Sequence, residues 1–342
     1  MPYEPFERLP IRATGLRITR LGFGGASIGG LYREVREADA EATVRHAWDL
    51  GIRYFDVAPL YGYGAAERRI GAVLRDLPRD EFVLSTKVGR LVVEAGAVQP
   101  GADLDRQAFG GREDAFYAGT AGRRIVFDYS AEGVRRSLGE SLERLGLDRI
   151  DLALVHDPDR HWRAAITGAI PELLRLRDAG VVRAVGVGMN QAPMLARFVR
   201  EADIDAVLVA GRYTLLDQGA LAELLPACEA RGVAVLVAGV MNSGVLAAPY
   251  ADARFDYLPA PGAVVERARS IAAACDRHDV LLRAAAMQLP LAHPAVTGLI
   301  TGVRTEAHLD EYPELLRMRI PPSLWDELRA QGLLDPAAPV PG

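Results

Sequence analysis

Cysteine and lysine are the two residues that this chain of 342 residues nearly does without. Its cysteines, Cys228 and Cys275, are far apart and fall into no metal-ligand spacing. That excludes a disulfide-stapled scaffold, leaves no metal site in view and fits a reducing cytoplasm. Long apolar runs are missing as well. The most apolar stretch, Val233 to Val240, is broken by Gly239 and reads as a buried strand, well short of the roughly 18 residues of a membrane span. The N-terminus carries no basic stretch followed by an apolar one, so no secretory leader is expected. A basic excess is absent too: 40 Lys and Arg face 45 Asp and Glu, for a net charge of −5. Neither a nucleic acid nor a membrane surface is an expected partner. With no Pro/Gly/Ser linker and no internal sequence repeat, residues 1–342 are expected to form a single domain. Nothing in the sequence sets an oligomeric state.

The scarcity of lysine is informative in itself. Lys87 is the one lysine among the 40 Lys and Arg residues. Wherever a positive charge alone suffices, the chain carries arginine. Lysine differs in being a compact ammonium whose protonation responds to burial, whereas a guanidinium stays charged. Lys87 is thus singled out as a position where arginine does not serve.

What is present is an alternation of short β-rich runs and amphipathic helical segments. Strands are expected at Arg20–Gly24, Arg53–Val57, Phe82–Thr86, Ile150–Val155, Val182–Val187, Ala206–Ala210, Val233–Val237 and Val296–Ile300. Most are apolar and rich in Val, Ile and Leu, as strands buried on both faces of a parallel sheet are. Helices are expected at Ala38–Leu50, Ala65–Leu74, Ala131–Leu145, Arg163–Ala179, Ala192–Arg200, Ala220–Arg231 and Ala263–Asp276, with Gly51, Gly146 and Gly180 as stops. Strand–helix alternation of this length predicts an α/β fold, a closed (β/α)8 TIM barrel. Three segments fall outside it. Arg8–Thr19 reads as an N-terminal hairpin turning at Thr14-Gly15 and plugging the barrel bottom. Val88–Asp128 is a long insertion after the third strand, expected over the C-terminal mouth. Pro321–Leu328 is a terminal helix.

In such a barrel, polar residues at the C-terminal ends of strands face the active site. Asp56 ends the second strand, Lys87 the third and His156 the fourth, and Tyr61 lies just beyond Asp56 in the loop Tyr61-Gly-Tyr-Gly64. A free phenol, with a pKa near 10, is a poor base at neutral pH. A nearby ammonium lowers that value. Lys87 can do this while Asp56 holds Lys87, and His156 can donate a hydrogen bond to a substrate oxygen. Tyr61 then moves the proton in a hydride-transfer reaction at an alcohol or carbonyl. Taken singly, each residue has a plainer reading: Asp56 and Lys87 as an ion pair, Tyr61 as a rim residue rivalled by Tyr63, His156 as a buried core histidine.

Three runs carry a family resemblance. Gly51-Ile-Arg-Tyr-Phe-Asp-Val-Ala-Pro-Leu-Tyr-Gly62 resembles the signature around the catalytic Asp and Tyr of the aldo-keto reductases. Ser85-Thr-Lys87 is similar to their catalytic-lysine strand, and Arg136–Gly146 followed by Asp148–His156 to the helix and strand that deliver their catalytic histidine. The similarity spans about residues 10 to 334. It implies the barrel, nicotinamide binding and the roles just given. Val155–Asp159, Gly186–Gln191, Ala210–Asp217 and Met241–Leu246 resemble the subgroup of aldose 1-dehydrogenases acting on L-fucose and D-threo-aldoses, together with pyridoxal 4-dehydrogenase. For that subgroup the implied reaction is oxidation of a hemiacetal to a lactone.

The dinucleotide fingerprint of open α/β sheets is missing. Gly22-Phe-Gly24 has Ser27 at the third glycine position, and Gly186-Val-Gly188 has Gln191 there. NAD or NADP must be gripped elsewhere. Thr301-Gly-Val-Arg-Thr305 opens the helix after the last strand, an N-terminus suited to phosphate or ribose. The resemblance implies a cofactor wall of Gly25, Ala26, Asp56, Asn190, Met241, Asn242, Ser243, Gly244, Gly302, Arg304, Thr305, His308 and Glu311, with Asn190 on the carboxamide and Asn242 to Gly244 on the pyrophosphate. Met189, Ala210, Gly302, His308 and Tyr312 depart from the common pattern. Gly302 and His308 replace basic residues that clamp a 2′-phosphate, which tilts the expectation toward NAD, with Arg304 keeping NADP open. Around a sugar or aldehyde substrate, the expected wall is Tyr32, Tyr61, His156, Asp157, Trp162, Arg212 and parts of the long insertion, with Arg212 and Asp157 acting together on hydroxyls or, in the plainer reading, standing in ion pairs at the rim. Three other functions compete: a general NADPH-dependent aldehyde reductase, a cofactor-binding regulatory subunit without catalysis, and a hydrolase using Gly25-Ala-Ser-Ile-Gly29 as a nucleophile elbow. The last needs a strand, a sharp turn and a helix at once, and Gly29-Gly-Leu-Tyr reads as loop.

Overall fold

The computed structural model describes residues 2–105, 117–120, 122–250, 252–303 and 305–342. The chain opens with an antiparallel hairpin, β1 (Arg8–Pro10) and β2 (Arg17–Thr19). The first barrel strands follow: β3 (Leu21–Gly24), α1 (Glu37–Leu50), β4 (Tyr54–Asp56), α2 (Ala65–Leu74) and β5 (Val83–Val88). The expected insertion then contributes its own antiparallel pair, β6 (Arg90–Glu94) and β7 (Arg123–Phe127). The barrel resumes with α3 (Ala131–Leu145), β8 (Leu152–His156), a helix running from α4 (Trp162–Ala164) to α5 (Ile170–Asp178), β9 (Ala184–Met189), α6 (Ala192–Glu201), β10 (Ala206–Ala210), α7 (Leu224–Arg231) and β11 (Ala234–Ala238). A two-residue hairpin of β12 (Arg254–Phe255) and β13 (Leu258–Pro259) precedes α8 (Gly262–Arg277), α9 (Leu282–Leu291), β14 (Val296–Gly302), α10 (Glu306–Arg317) and α11 (Pro322–Ala330). The eight parallel strands β3, β4, β5, β8, β9, β10, β11 and β14 close into a barrel, β14 pairing with β3.

Period-two alternation sorts the strand residues into two cores. Tyr54, Val83, Leu152, Leu154, Leu208, Leu236 and Ile300 point inward and pack with Ile11, Leu16 and Ile18 of the hairpin, which thus plugs the interior. Phe55, Leu84, Ala153, Val155, Val207 and Val235 point outward against the helices. Most of the barrel strands run one or two residues farther toward the mouth than their apolar runs suggest. β5 reaches Val88, β8 His156, β9 Met189 and β14 Gly302. His156 and Gly302 end two of these strands and Lys87 and Gly188 lie one residue from the ends of the others, so a reading by hydrophobicity alone stops short.

Two helices differ from expectation for local reasons. The helix over 162–178 widens into one π turn, Ala165–Ala169, just ahead of Pro171, which has no amide for the carbonyl four residues back. α9 has no polar stripe to betray it: Ala284 to Leu291 are all buried. Ser27 does not sit on an elbow. β3 ends at Gly24 and no helix begins before Glu37, which removes the geometry a hydrolase would need. Among the described residues no helix is long and apolar enough to cross a membrane, and no cluster of His, Cys, Asp or Glu could hold a metal ion.

Candidate active site

The site begins with an ion pair at the strand ends. β4 delivers Asp56 and β5 delivers Lys87, and both are buried, each 2% exposed. Lys87 Nζ donates to Asp56 Oδ2 at 2.7 Å and to the Val57 carbonyl at 3.0 Å. Ser85 Oγ donates to Asp56 Oδ1 at 2.7 Å. Both carboxylate oxygens are thereby used, as a charge this deep requires. Gly188 on β9 lies beside the lysine stem, where a Cβ would make ordinary contact with Lys87 Cε at 3.6 Å.

Tyr61 stands above this pair. The loop that carries it needs glycine at Gly62, where φ is +62° and a Cβ would fall 2.1 Å from the Gly29 carbonyl oxygen. The close approach of these two loops fixes where Tyr61 points. Its ring centroid is 4.6 Å from Lys87 Nζ, and the His156 ring meets it edge-on at 5.9 Å and 89°. Tyr63 carries positive φ on the same turn and lines neither cavity described below. The structure therefore brings together Asp56, Tyr61, Lys87 and His156.

The electrostatics differ from expectation at Tyr61. Burial, followed by the Asp56 carboxylate, holds its phenol well above the ordinary value near 10. The lowering expected from the ammonium is not there, because Asp56 is hydrogen-bonded to Lys87 and offsets its field. The phenol is neutral and is a proton donor. His156 is also neutral: burial, followed by the charges of Arg90 and Lys87, holds its imidazole well below the usual range.

Two cavities meet at Tyr61. One, of about 390 Å³, is a groove along the ends of β3, β10, β11 and β14. Ala26, Tyr32, Asp56, Asn190, Met241, Asn242, Ser243, Gly244, Gly302, His308 and Glu311 line it. Gly25 and Thr305 lie beside it: the Gly25 amide is tied to the Asp56 carbonyl, and Thr305 is exposed ahead of α10. Arg304 falls outside the described residues. The groove suits a dinucleotide. Asn242 Oδ1 is buried there with no hydrogen-bond partner, the first turn of α10 has no side-chain cap, and a Cβ on Gly244 would meet nothing within 4 Å. Asn190 Nδ2 donates to the Ala210 carbonyl at 3.2 Å.

The other cavity, about 290 Å³, opens beside Tyr61, Lys87 and His156. Asp157 and Arg212 line it as expected, but not as partners. Arg212 forms a two-pronged pair with Asp256, at 2.9 and 2.7 Å, while Asp157 is held by Arg90 at 2.9 Å. Trp162 lines neither cavity; it packs on Phe198, 4.2 Å between ring centroids, beneath Arg197. Sequence reasoning put the insertion on this wall without naming Arg90 or Tyr117 and missed Asp159, Asp256 and Tyr257, all of which border the substrate-sized cavity. One signal existed. Asp256 and Tyr257 both have positive φ at the tip of the β12–β13 hairpin, and Asp favours such turns. Arg90 gave none, since a buried guanidinium looks like any surface arginine until its partners are known.

Comparison with known proteins identifies the family. The Aldo/keto reductase family model matches residues 20–331. The chain is 44% identical to D-threo-aldose 1-dehydrogenase of a Pseudomonas species, covering 94% of this chain and 96% of that one. It is 42% identical to pyridoxal 4-dehydrogenase of Microbacterium luteolum, over 98% and 100% of the two chains. The fold also matches the holo form of an aldo-keto reductase from Bacillus halodurans, with a TM-score of 0.72 at 21% identity, covering 97% and 98% of the two chains. The chain belongs to the aldo/keto reductase family and is an NAD(P)-dependent oxidoreductase with a small-molecule substrate.

Proposed function

We propose that this protein oxidises an aldose at C1 to a lactone, with NAD as the preferred cofactor and Tyr61 as the proton-transfer residue. The observation that carries the reading is the make-up of the smaller cavity. Arg90, Asp157, Asp159, Arg212 and Asp256 line it, and Arg90 and Arg212 are both bonded to carboxylates. Such a wall offers donors and acceptors to a polyol while leaving neither guanidinium uncommitted for an anion. The names of the two similar dehydrogenases support the same substrate class. Tyr117 and Tyr257, which share the cavity with Tyr61, favour a flat aromatic aldehyde such as pyridoxal as the second reading.

A bound nicotinamide dinucleotide supplies the hydride acceptor. The chain's own residues do the rest. Ala26, Asn190, Met241 to Gly244, Gly302, His308 and Glu311 hold the dinucleotide. The Lys87–Asp56 pair supports Tyr61 from below, and neutral His156 orients the C1 oxygen whose proton Tyr61 exchanges. NAD preference is supported by Arg283 and Glu311, which both line the groove and pair with each other at 2.5 Å, so that this guanidinium is committed to a carboxylate instead of a further phosphate. A screen of NADH absorbance over L-fucose, D-arabinose, L-galactose and pyridoxal, run with NAD and with NADP, tests the proposal. Sugar oxidation faster with NAD is expected. Turnover of pyridoxal alone would select the second reading, and NADPH-dependent aldehyde reduction without sugar oxidation would sink the first.

The raised phenol also sets a pH dependence. Oxidation needs the phenolate and reduction the phenol. Below its pKa, the phenolate fraction grows about tenfold per pH unit. Oxidation is therefore expected to speed up steadily from pH 7 to 9 while reduction does not, with no inflection near 6.5 from His156. Initial-rate profiles in both directions check this.

A further inference from the structure

Arg90 belongs to no part of the proton-transfer machinery, yet it is 2% exposed and committed to two carboxylates. Its Nη1 donates to Asp105 at 2.7 Å and its Nη2 to Asp157 at 2.9 Å, and its guanidinium lies 5.2 Å from the centre of the Phe127 ring. All but Asp157 come from the insertion. A turn at Gly89, with φ +97° and no room for a Cβ beside Tyr129, swings the chain from β5 into β6 and aims Arg90 back at the mouth. Asp157 is constrained from its own side as well. Its backbone is left-handed at φ +40°. Its amide donates to the Gly188 carbonyl at 3.0 Å, and its carbonyl accepts from the Tyr129 hydroxyl at 3.1 Å. The result is a carboxylate lining the cavity, with Oδ2 3.5 Å from His156 Nε2.

Stability alone does not account for this arrangement. Burying three charges costs desolvation that their attraction offsets only partly, and apolar residues of similar volume commonly do as well. The chemistry of the exposed end points to recognition. An ionised carboxylate has more acceptor sites than the Arg90 bond uses, and it cannot donate. What it can bind is a hydroxyl. Burial pushes Asp157 up to about 6, while Arg90 pulls the other way and keeps it ionised at neutral pH.

We propose that Arg90 is a specificity-determining positioning residue, which holds the Asp157 carboxylate toward the cavity so that it accepts hydrogen bonds from hydroxyls next to the substrate's reacting carbon. This rests on the reading of the cavity as an aldose site, and the experiment separates the two. The measurement is the ratio of kcat/KM for glyceraldehyde to that for propanal in NADH-dependent reduction, because the two aldehydes differ by hydroxyls alone. A hydrogen bond to a charged group is worth about tenfold to a hundredfold in such a ratio. The wild type is expected to favour glyceraldehyde by that factor. Arg90→Met and Asp157→Asn are each expected to bring the ratio close to one, the loss on glyceraldehyde exceeding any change on propanal by about the factor that the wild type shows. Asn accepts left-handed backbone, so Asp157→Asn decides the matter if Arg90→Met does not fold. Equal loss on both aldehydes, or a preference that survives in Asp157→Asn, would overturn the role. So would a wild type without the preference. Failure to oxidise L-fucose while the ratio behaves as expected would remove the aldose reading and leave Arg90 in place. A wild type inert toward both aldehydes would overturn both together.

Discussion

Tyr61→Phe loses turnover by about 100- to 10,000-fold, the usual worth of a positioned acid or base, while NAD affinity measured by fluorescence titration hardly changes. The split follows from where the hydroxyl stands. The phenylalanine ring keeps the face that Lys87 Nζ approaches at 4.6 Å and the edge contact with His156, so the wall shared by the two cavities survives. Only the exchangeable proton is gone. The phenol is the donor placed beside both His156 and the groove, and neutral His156 has no positive charge to lend in its stead. A Phe variant with full activity in steady-state assays would remove Tyr61 from the chemistry. A variant that lost NAD binding in proportion to turnover would make Tyr61 a structural residue of the groove.

The second large effect is on folding. Lys87→Met leaves the Asp56 carboxyl 2% exposed and short of its strongest partner. Removing one member of a buried pair costs about 3–5 kcal/mol, a sizeable part of a typical domain's whole stability. Urea unfolding is expected to register that loss. The double variant Lys87→Met with Asp56→Asn removes the orphaned charge and is expected to recover most of the stability, because the new amide oxygen would still accept from Ser85 in the place where Asp56 does at 2.7 Å. It is expected to recover no turnover. If Lys87→Met unfolds no earlier than wild type, the pair is not the electrostatic support described here. If the double variant is active, the ammonium has no part in placing the phenol.

How much of this was legible beforehand depended on how each feature is encoded. Scarcity worked well for the one lysine, which lies at the centre of the site, while Asn190 and Asn242, named through the family resemblance, both line the groove. Strand-end periodicity also worked, since Asp56 and His156 end β4 and β8 and Lys87 lies one residue from the end of β5. The failures have a common cause. Arg90, Tyr117, Asp256 and Tyr257 reach the cavity from segments outside the parallel strands, and where those segments fold back is set by tertiary contacts such as Gly89 against Tyr129. Arg212 and Asp157 both line the cavity and both stand in ion pairs, the plainer of their two expected readings, but with partners other than those in view. Each found a nearer partner that no spacing announces. Tyr61 shows a subtler limit. Which ionisable groups converge was readable, but the sign of the shift was not, because it depends on how fully Asp56 offsets Lys87 and how deeply the ring is buried. Trp162 follows β8 closely in sequence, which suggests the mouth, yet it turns outward onto α6.

The insertion and the β12–β13 hairpin have a consequence for how this protein can change over evolutionary time. The candidate proton-handling residues lie on or just past barrel strands, while part of the cavity wall comes from two appended segments, Arg90 and Tyr117 on one, Asp256 and Tyr257 on the other. Lengthening or exchanging an appended segment costs little in chain entropy, about 0.6 kcal/mol for each doubling of a flexible loop, and leaves the hydrogen-bonded staves intact. New substrates can therefore be tried by editing the rim, at small risk to the vessel.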